Sequence, residues 1–279
     1  MKKLGFIGAG NMAEALAHGL LAKKVFSPAD LIASDVAPAR RRRLAHLLKI
    51  ETTADNLAVA DQARAVVFAV KPQTIDAVLD EIASGLRAKG RSGRAGGEKL
   101  FISIAAGVPI SRLESHLGGT ARVIRVMPNA PAMVGQGMAA LVGGSRASRA
   151  DEAFALKIFR AVGEALMLRE ESLLDAVTAL SGSGPAYVYL FVNAMAEAAA
   201  REGLPVKLAL EIALQTVRGA EQTMRQSKLA PSELIRIVAS PGGTTEAALR
   251  KFVEAGFSGI VGAAIAAAAA RSRELGRSG

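Results

Sequence analysis

The chain has 279 residues, is 51% hydrophobic, carries a formal net charge of +10 and contains neither cysteine nor tryptophan. The missing cysteine excludes disulfides, thiolate catalysis and cysteine metal sites, and is compatible with a reducing cytoplasm. With no strongly apolar run long enough to span a bilayer, the composition predicts an ordinary core divided between two domains. The start, MKKLGFIGAG, reads as a first strand and not a signal peptide, and the alanine-rich tail at 262–270 is too short to cross a membrane, so a cytoplasmic protein is expected. Two basic blocks, the arginines at 40–43 and RAKGRSGRAGGEK at 87–99, have no interleaved aromatics. They read as solvated faces or loops with no nucleic-acid partner, and the charge favours small anionic ligands.

In chain order, KLGFIG at 3–8 predicts a strand that ends on glycines, and the helical spacing of Met12, Leu16, Leu20 and Leu21 predicts the helix that follows. LIAS at 31–34 repeats the strand and 38–48 the helix. AVVFAV at 65–70 is a continuous apolar run, as expected of a strand buried on both faces of a parallel sheet. A helix at 73–88, a strand at 100–106, a helix starting near Pro109 and the strand RVIRVM at 122–127 continue the alternation. MAALVGG and EALML predict two later strands flanking a helix at 149–162. Beyond about residue 170 only helices are expected, at 170–180, 184–202, 205–226, 231–238, 244–254 and 257–275. The fold class is therefore α/β: a Rossmann-like doubly wound sheet at 1–168, then an all-helical domain at 169–279. The alanine-rich apolar faces of 184–202 and 257–275 exceed what a lone small domain covers, which predicts a homodimer.

Gly8, Ala9, Gly10, Asn11, Met12 and Ala13 fit G-x-G-x-x-G/A after a first strand and at a helix start, the context of a dinucleotide-binding turn. Gly8 permits the tight turn, Gly10 lets a pyrophosphate approach, and the amides around Asn11 and Met12 meet it with the positive helix end behind them. The second strand ends at Ser34 and Asp35. An acid there would accept both ribose hydroxyls of NADH and repel a 2′-phosphate, whereas the arginines at 40–43 could reach that phosphate. The two signals conflict, and the reading inclines slightly to NADPH over NADH. A solvated arginine face remains the alternative.

With these residues placed, six segments in order resemble the pyrroline-5-carboxylate reductase family: GFIGAGNMAEAL, AVKPQ, SIAAGVPI, VIRVMPNAPAMVGQG, LSGSGPAYVYLF and SPGGTTEAAL. The resemblance covers nearly the whole chain. It implies hydride transfer from NAD(P)H to the cyclic imine 1-pyrroline-5-carboxylate, giving L-proline, in an interlocked dimer that assembles further, to a decamer of dimers. Carried over by motif, Gly8, Ala9, Gly10, Asn11 and Met12 would hold the pyrophosphate, and Ser34, Asp35 and Asn56 the adenosine end. Ala69, Val70, Lys71, Pro72, Ala105 and Ala106 would line the nicotinamide side. Glu171, Ser240, Gly243, Thr244 and Thr245 would surround the substrate. Asp35 departs from the neutral hydroxyl residue common in NADPH-preferring members.

The second glycine turn, SPGGTT, suits a carboxylate. Each amide to a carboxylate is worth roughly 1.5–3 kcal/mol and the helix terminus about 0.3–1 more, so two or three amides suffice without an arginine. Thr245 is the expected hydrogen-bond partner of the imine nitrogen and its proton relay. The plainer alternative is an ordinary loop with Thr244 as helix cap. His18, His46 and His116 lie far apart, so no metal site is expected. Related imine reductases and β-hydroxyacid dehydrogenases would share the architecture. The latter normally place a catalytic lysine in the second domain, and Lys207, Lys228 and Lys251 stand in no glycine-rich turn. A dinucleotide-sensing or nucleic-acid-binding protein is the non-enzymatic alternative.

Overall fold

The computed structural model describes residues 1–88, 99–118 and 120–277. Its first compact unit comprises residues 1–183 and 268–279, and its second residues 184–267. Most of the basic segment at 87–99 thus lies outside the described residues. Its last residue, Lys99, is buried with its ammonium donating to the Ala63 carbonyl at 2.7 Å.

The first unit is built on an eight-stranded sheet in the order β3-β2-β1-β4-β5-β6-β7-β8. The strands are β1 (Lys2–Ile7), β2 (Leu31–Ser34), β3 (Glu51–Thr53), β4 (Ala63–Phe68), β5 (Leu100–Ser103), β6 (Arg122–Met127), β7 (Gly137–Gly143) and β8 (Gly163–Met167). The first six are parallel; β7 runs against β6, pairing Ile124 with Gly143, and β8 runs parallel to β7, so the last two strands are both reversed. The segment 128–136 between them is too short for a crossover helix, so the chain must turn back. Helices α1 (Asn11–Ala22), α2 (Pro38–Leu48), α3 (Asn56–Gln62), α4 (Ile75–Ala88), α5 (Ile110–Leu117) and α6 (Arg149–Phe159) supply the connections.

Alternate residues of each central strand enter opposite cores. Leu4, Phe6, Ala65, Val67, Leu100 and Ile102 join the cluster under α1 and α6, while Ile7, Val66, Phe68 and Phe101 join the cluster under α3 and α4. Phe68 and Phe101 stack there at 5.7 Å. Each such fully buried side chain contributes roughly 1.5–3 kcal/mol, which is why these central strands read as unbroken apolar runs.

The strands expected to run to 70 and 106 end at Phe68 and Ser103. Their last pairing bonds, Ala69 N to Ile7 O at 2.8 Å and Ile104 N to Phe68 O at 3.2 Å, release both chains at the carboxyl edge of the sheet. Ligands bind at that edge in such folds.

After α7 (Leu173–Val177) a π-turn spans Thr178–Gly182, closed by Ser183 N to Thr178 O at 2.9 Å. The second unit contains α8 (Gly184–Arg201), α9 (Val206–Ser227), α10 (Pro231–Val238), α11 (Thr244–Glu254) and the first part of α12 (Phe257–Arg277). Phe191, Phe252 and Phe257 form a triad with centroid separations of 5.3 to 6.4 Å. The unit nevertheless exposes much apolar surface: Tyr189, Leu190 and Ile260 are 64%, 71% and 62% exposed. Contacts group α7, the π-turn and the last turns of α12 with the sheet in the first unit. Among the described residues no single helix is long and apolar enough to cross a membrane.

Candidate functional site

The turn at residues 8–12 leaves β1 at the carboxyl edge of the sheet. Gly8 adopts φ +98°, and a β-carbon there would lie 2.6 Å from the Ala69 carbonyl oxygen, so only glycine fits. Gly10 has open space where its side chain would be, and no side chain caps the start of α1. The turn therefore combines a cradle that accepts close approach with free amides at Asn11 and Met12, the form a pyrophosphate requires.

The residues expected from sequence at the adenosine end hold one another. Ser34 is buried and its Oγ donates to Asn56 Oδ1 at 2.7 Å, while Asn56 Nδ2 donates to Glu81 at 2.8 Å. Asp35 differs from the sequence expectation of a carboxylate open to a ribose. Its side chain is 5% exposed, Oδ2 accepts the Ala9 amide at 2.8 Å, and Oδ1 accepts the Ala37 amide at 2.8 Å. The four arginines are not one solvated face either. Arg41 donates to the Asp35 and Val36 carbonyls at 2.7 and 3.1 Å, and Arg43 grips Glu14 through two bonds of 2.7 and 2.8 Å. That grip holds the Glu14 carboxyl below the usual carboxylate range. Arg40 is 57% exposed and lies 3.5 Å from Asp35 Oδ2.

Of the residues expected to line the nicotinamide, Ala69, Val70, Lys71 and Pro72 follow β4, with Lys71 exposed, and Ala105 and Ala106 follow β5, with Ala105 buried. The neighbouring Gly107 has φ +76°, and the β-carbon it lacks would lie 3.1 Å from Leu275. Ser272, one turn earlier, donates to Asp175 at 2.6 Å, so the end of α12 braces both this loop and α7. Glu171 is tied into the same unit: its Oε1 accepts the Ile110 amide at 2.8 Å and Arg125 Nη1 at 2.6 Å. It thus satisfies the open end of α5, a framework task that its assignment beside the substrate does not include.

Asn129 lies in the segment VIRVMPNAPAMVGQG and has no role assigned from sequence. Its Oδ1 accepts the Met138 amide at 2.8 Å, and its Nδ2 donates to the carbonyl and Oγ of Ser181 at 3.2 and 3.1 Å. One amide side chain thus fixes the π-turn to the start of β7, and π-turns recur at functional sites. The signal in the sequence was a lone polar residue between Pro128 and Pro131 at the end of an apolar strand.

The second glycine turn lies in the helical unit. Gly242 adopts φ +70°, and the Gly243 amide closes on the Ser240 carbonyl at 3.0 Å. Gly243, not Thr244, is the cap residue of α11, and no side-chain bond caps that helix. The amide of Gly242 is already engaged by Glu246 Oε2 at 2.6 Å. The amides of Thr244 and Thr245, in the first turn, remain for a carboxylate. Ser240 and Thr244 are exposed and Thr245 is half-buried.

The family model described as "Pyrroline-5-carboxylate reductase dimerisation" matches residues 171–275, and that described as "NADP oxidoreductase coenzyme F420-dependent" matches residues 3–107. The chain is 42% identical over 273 residues to the pyrroline-5-carboxylate reductase of Pseudomonas aeruginosa, covering 98% of this chain and 96% of that protein. The solved structure of a pyrroline-5-carboxylate reductase from Coxiella burnetii superposes with a TM-score of 0.89 at 33% identity, covering 98% of both chains. That of Plasmodium falciparum pyrroline carboxylate reductase, with NADP bound, gives 0.86 at 30% identity, covering 99% of this chain and 98% of that one. Likeness of this extent, joined to an intact dinucleotide turn, establishes that the chain belongs to the pyrroline-5-carboxylate reductase family.

Proposed function

We propose that this protein reduces 1-pyrroline-5-carboxylate to L-proline, the last step of proline biosynthesis, with NADH or NADPH as hydride donor. The observation that carries the reading is the rigid cradle at residues 8–12, in a chain that is 42% identical end to end to a reductase of that name. When bound, the reduced nicotinamide supplies the hydride. Gly8, Ala9, Gly10, Asn11 and Met12 would hold the pyrophosphate, with Ser34, Asp35 and Asn56 framing the adenosine end. Ala69, Val70, Lys71, Pro72, Ala105 and Ala106 would form the nicotinamide wall.

The substrate side needs little acid–base machinery, because a protonated imine already accepts hydride. Two helix-start amides at Thr244 and Thr245, within the Ser240 and Gly243 turn, would bind the carboxylate. The Thr245 hydroxyl would hydrogen-bond the imine nitrogen and relay its proton. Glu171 would act from the framework, by holding α5 and Arg125.

The same proposal includes a homodimer through the helical unit and further assembly to a decamer of dimers. The match to a dimerisation model and the exposed Tyr189, Leu190 and Ile260 support the dimer. Sedimentation of a dilute, folded monomer would remove it. A cytoplasmic setting accords with a chain that has no cysteine to oxidise. The reaction is tested by following NADH and NADPH absorbance side by side on addition of the imine. Proline formed in step with cofactor oxidation is expected, and no turnover with either cofactor would refute the function.

A further inference from the structure

We propose that this chain selects NADPH over NADH through Arg40, and that Asp35, although it stands where an acid normally reads the ribose, acts as a clamp on the phosphate-binding turn. The inference rests on the cofactor reading of residues 8–12 and extends it to a preference.

An acid at the end of the second strand discriminates against NADPH only if its carboxylate faces the ribose. Asp35 does not present one. It is almost fully buried, one oxygen holds the Ala9 amide of the glycine turn, and the other holds the Ala37 amide at the entry to α2. Its two oxygens are thereby each engaged by a backbone donor, with a guanidinium beside one of them.

The cations around it differ in what they have left to offer. Arg43 is neutralised by the two-bond pair with Glu14, and one nitrogen of Arg41 is committed to two carbonyls. Arg40 is different. Its side chain is 57% exposed, and among the described residues it meets a polar partner 3.5 Å away, at the Asp35 oxygen that also clamps Ala9. This mostly solvated guanidinium lies one ion-pair distance from the carboxylate that clamps the turn, at the end of the second strand, where the adenosine ribose of a dinucleotide is read in such folds. Its planar donor fork suits a phosphate, and the partial contact with Asp35 keeps it there. With Arg43 paired to Glu14, Arg40 and Arg41 stand beside the single carboxylate of Asp35, which leaves cationic charge at its rim and favours the more anionic cofactor.

The test is calorimetric titration of the full-length protein with adenosine 2′,5′-bisphosphate and adenosine 5′-monophosphate, alongside NADPH and NADH by fluorescence. Wild type is expected to bind the bisphosphate about tenfold or more tightly than the monophosphate, the worth of one charge-assisted hydrogen bond. Arg40→Ala, at an exposed position that leaves the fold intact, should remove most of that preference and leave monophosphate binding within about twofold. Asp35→Ala should weaken both nucleotides by a similar factor, since it loosens the turn. Equal binding of the two nucleotides by wild type would overturn the proposal. So would a preference that survives Arg40→Ala, or a gain in bisphosphate affinity on Asp35→Ala. Binding of neither nucleotide would overturn the cofactor reading and this inference together. Selective bisphosphate binding without imine reduction would sink the proposed reaction while sustaining the inference.

Discussion

The two glycine turns use the same device with different partners. At the first, a carboxylate twenty-six residues away in sequence, Asp35, is buried and grips the Ala9 amide. At the second, Glu246, four residues on and exposed, grips the Gly242 amide. A long-range buried clamp makes the first turn a fixed part of the sheet edge. A local exposed clamp leaves the second able to exchange one carboxylate for another. The difference fits their proposed ligands: a cofactor portion that binds in one geometry, and a small substrate whose carboxylate must enter and leave each turnover.

The largest effect should come from breaking the rigid turn. Gly8→Ala places a side chain at φ +98° and against the Ala69 carbonyl. It should cost at least about 2 kcal/mol of stability and abolish measurable cofactor binding, read by thermal unfolding and NADPH titration. Asn129→Ala should rank next. It strands the Met138 amide and the Ser181 carbonyl, so about 1–3 kcal/mol of stability should be lost in chemical denaturation.

Glu246→Ala sharpens the comparison from the other side. Freeing the Gly242 amide removes an internal competitor for the substrate carboxylate, so KM for the imine should fall about two- to fivefold, while the helix start loses roughly 0.3–1 kcal/mol. Steady-state kinetics beside a melting curve separates the two effects. Smallest of all is the Glu14–Arg43 pair. The Glu14 pKa is lowered in the folded chain, so its contribution is present above the ordinary carboxylate pKa and is lost as the pH falls through the lower folded value. Arg43→Ala should therefore differ slightly from wild type at neutral pH, and the gap should close in acid and in high salt.

Much of this architecture was legible in the sequence. LIAS, the helix at 38–48, RVIRVM and the helices at 231–238 and 244–254 appear as the apolar periods predict. Glu51–Thr53 and Asn56–Gln62 were not, because a three-residue edge strand and a seven-residue helix carry too few apolar positions to show a period. The reversed direction of β7 was hidden because strand direction depends on connection length, not on residue pattern. Within the site, the glycines were readable because their conformational demand is local. The inward turn of Asp35, the strut made by Glu171 and Arg125, and the Asn129 bridge were not. Each depends on partners 26, 46 and 52 residues away that only the folded sheet edge brings together.

The central claim is that one turn holds the cofactor and the other conducts the chemistry, and Thr245→Val tests it most directly. The substitution keeps the side-chain shape and removes the hydroxyl. Measured on the same preparation, kcat should fall by about a hundredfold, in the range of a lost proton relay, while the dissociation constant for NADPH stays within about twofold. Equal losses in turnover and in cofactor affinity, or unchanged turnover, would contradict the division of labour between the turns.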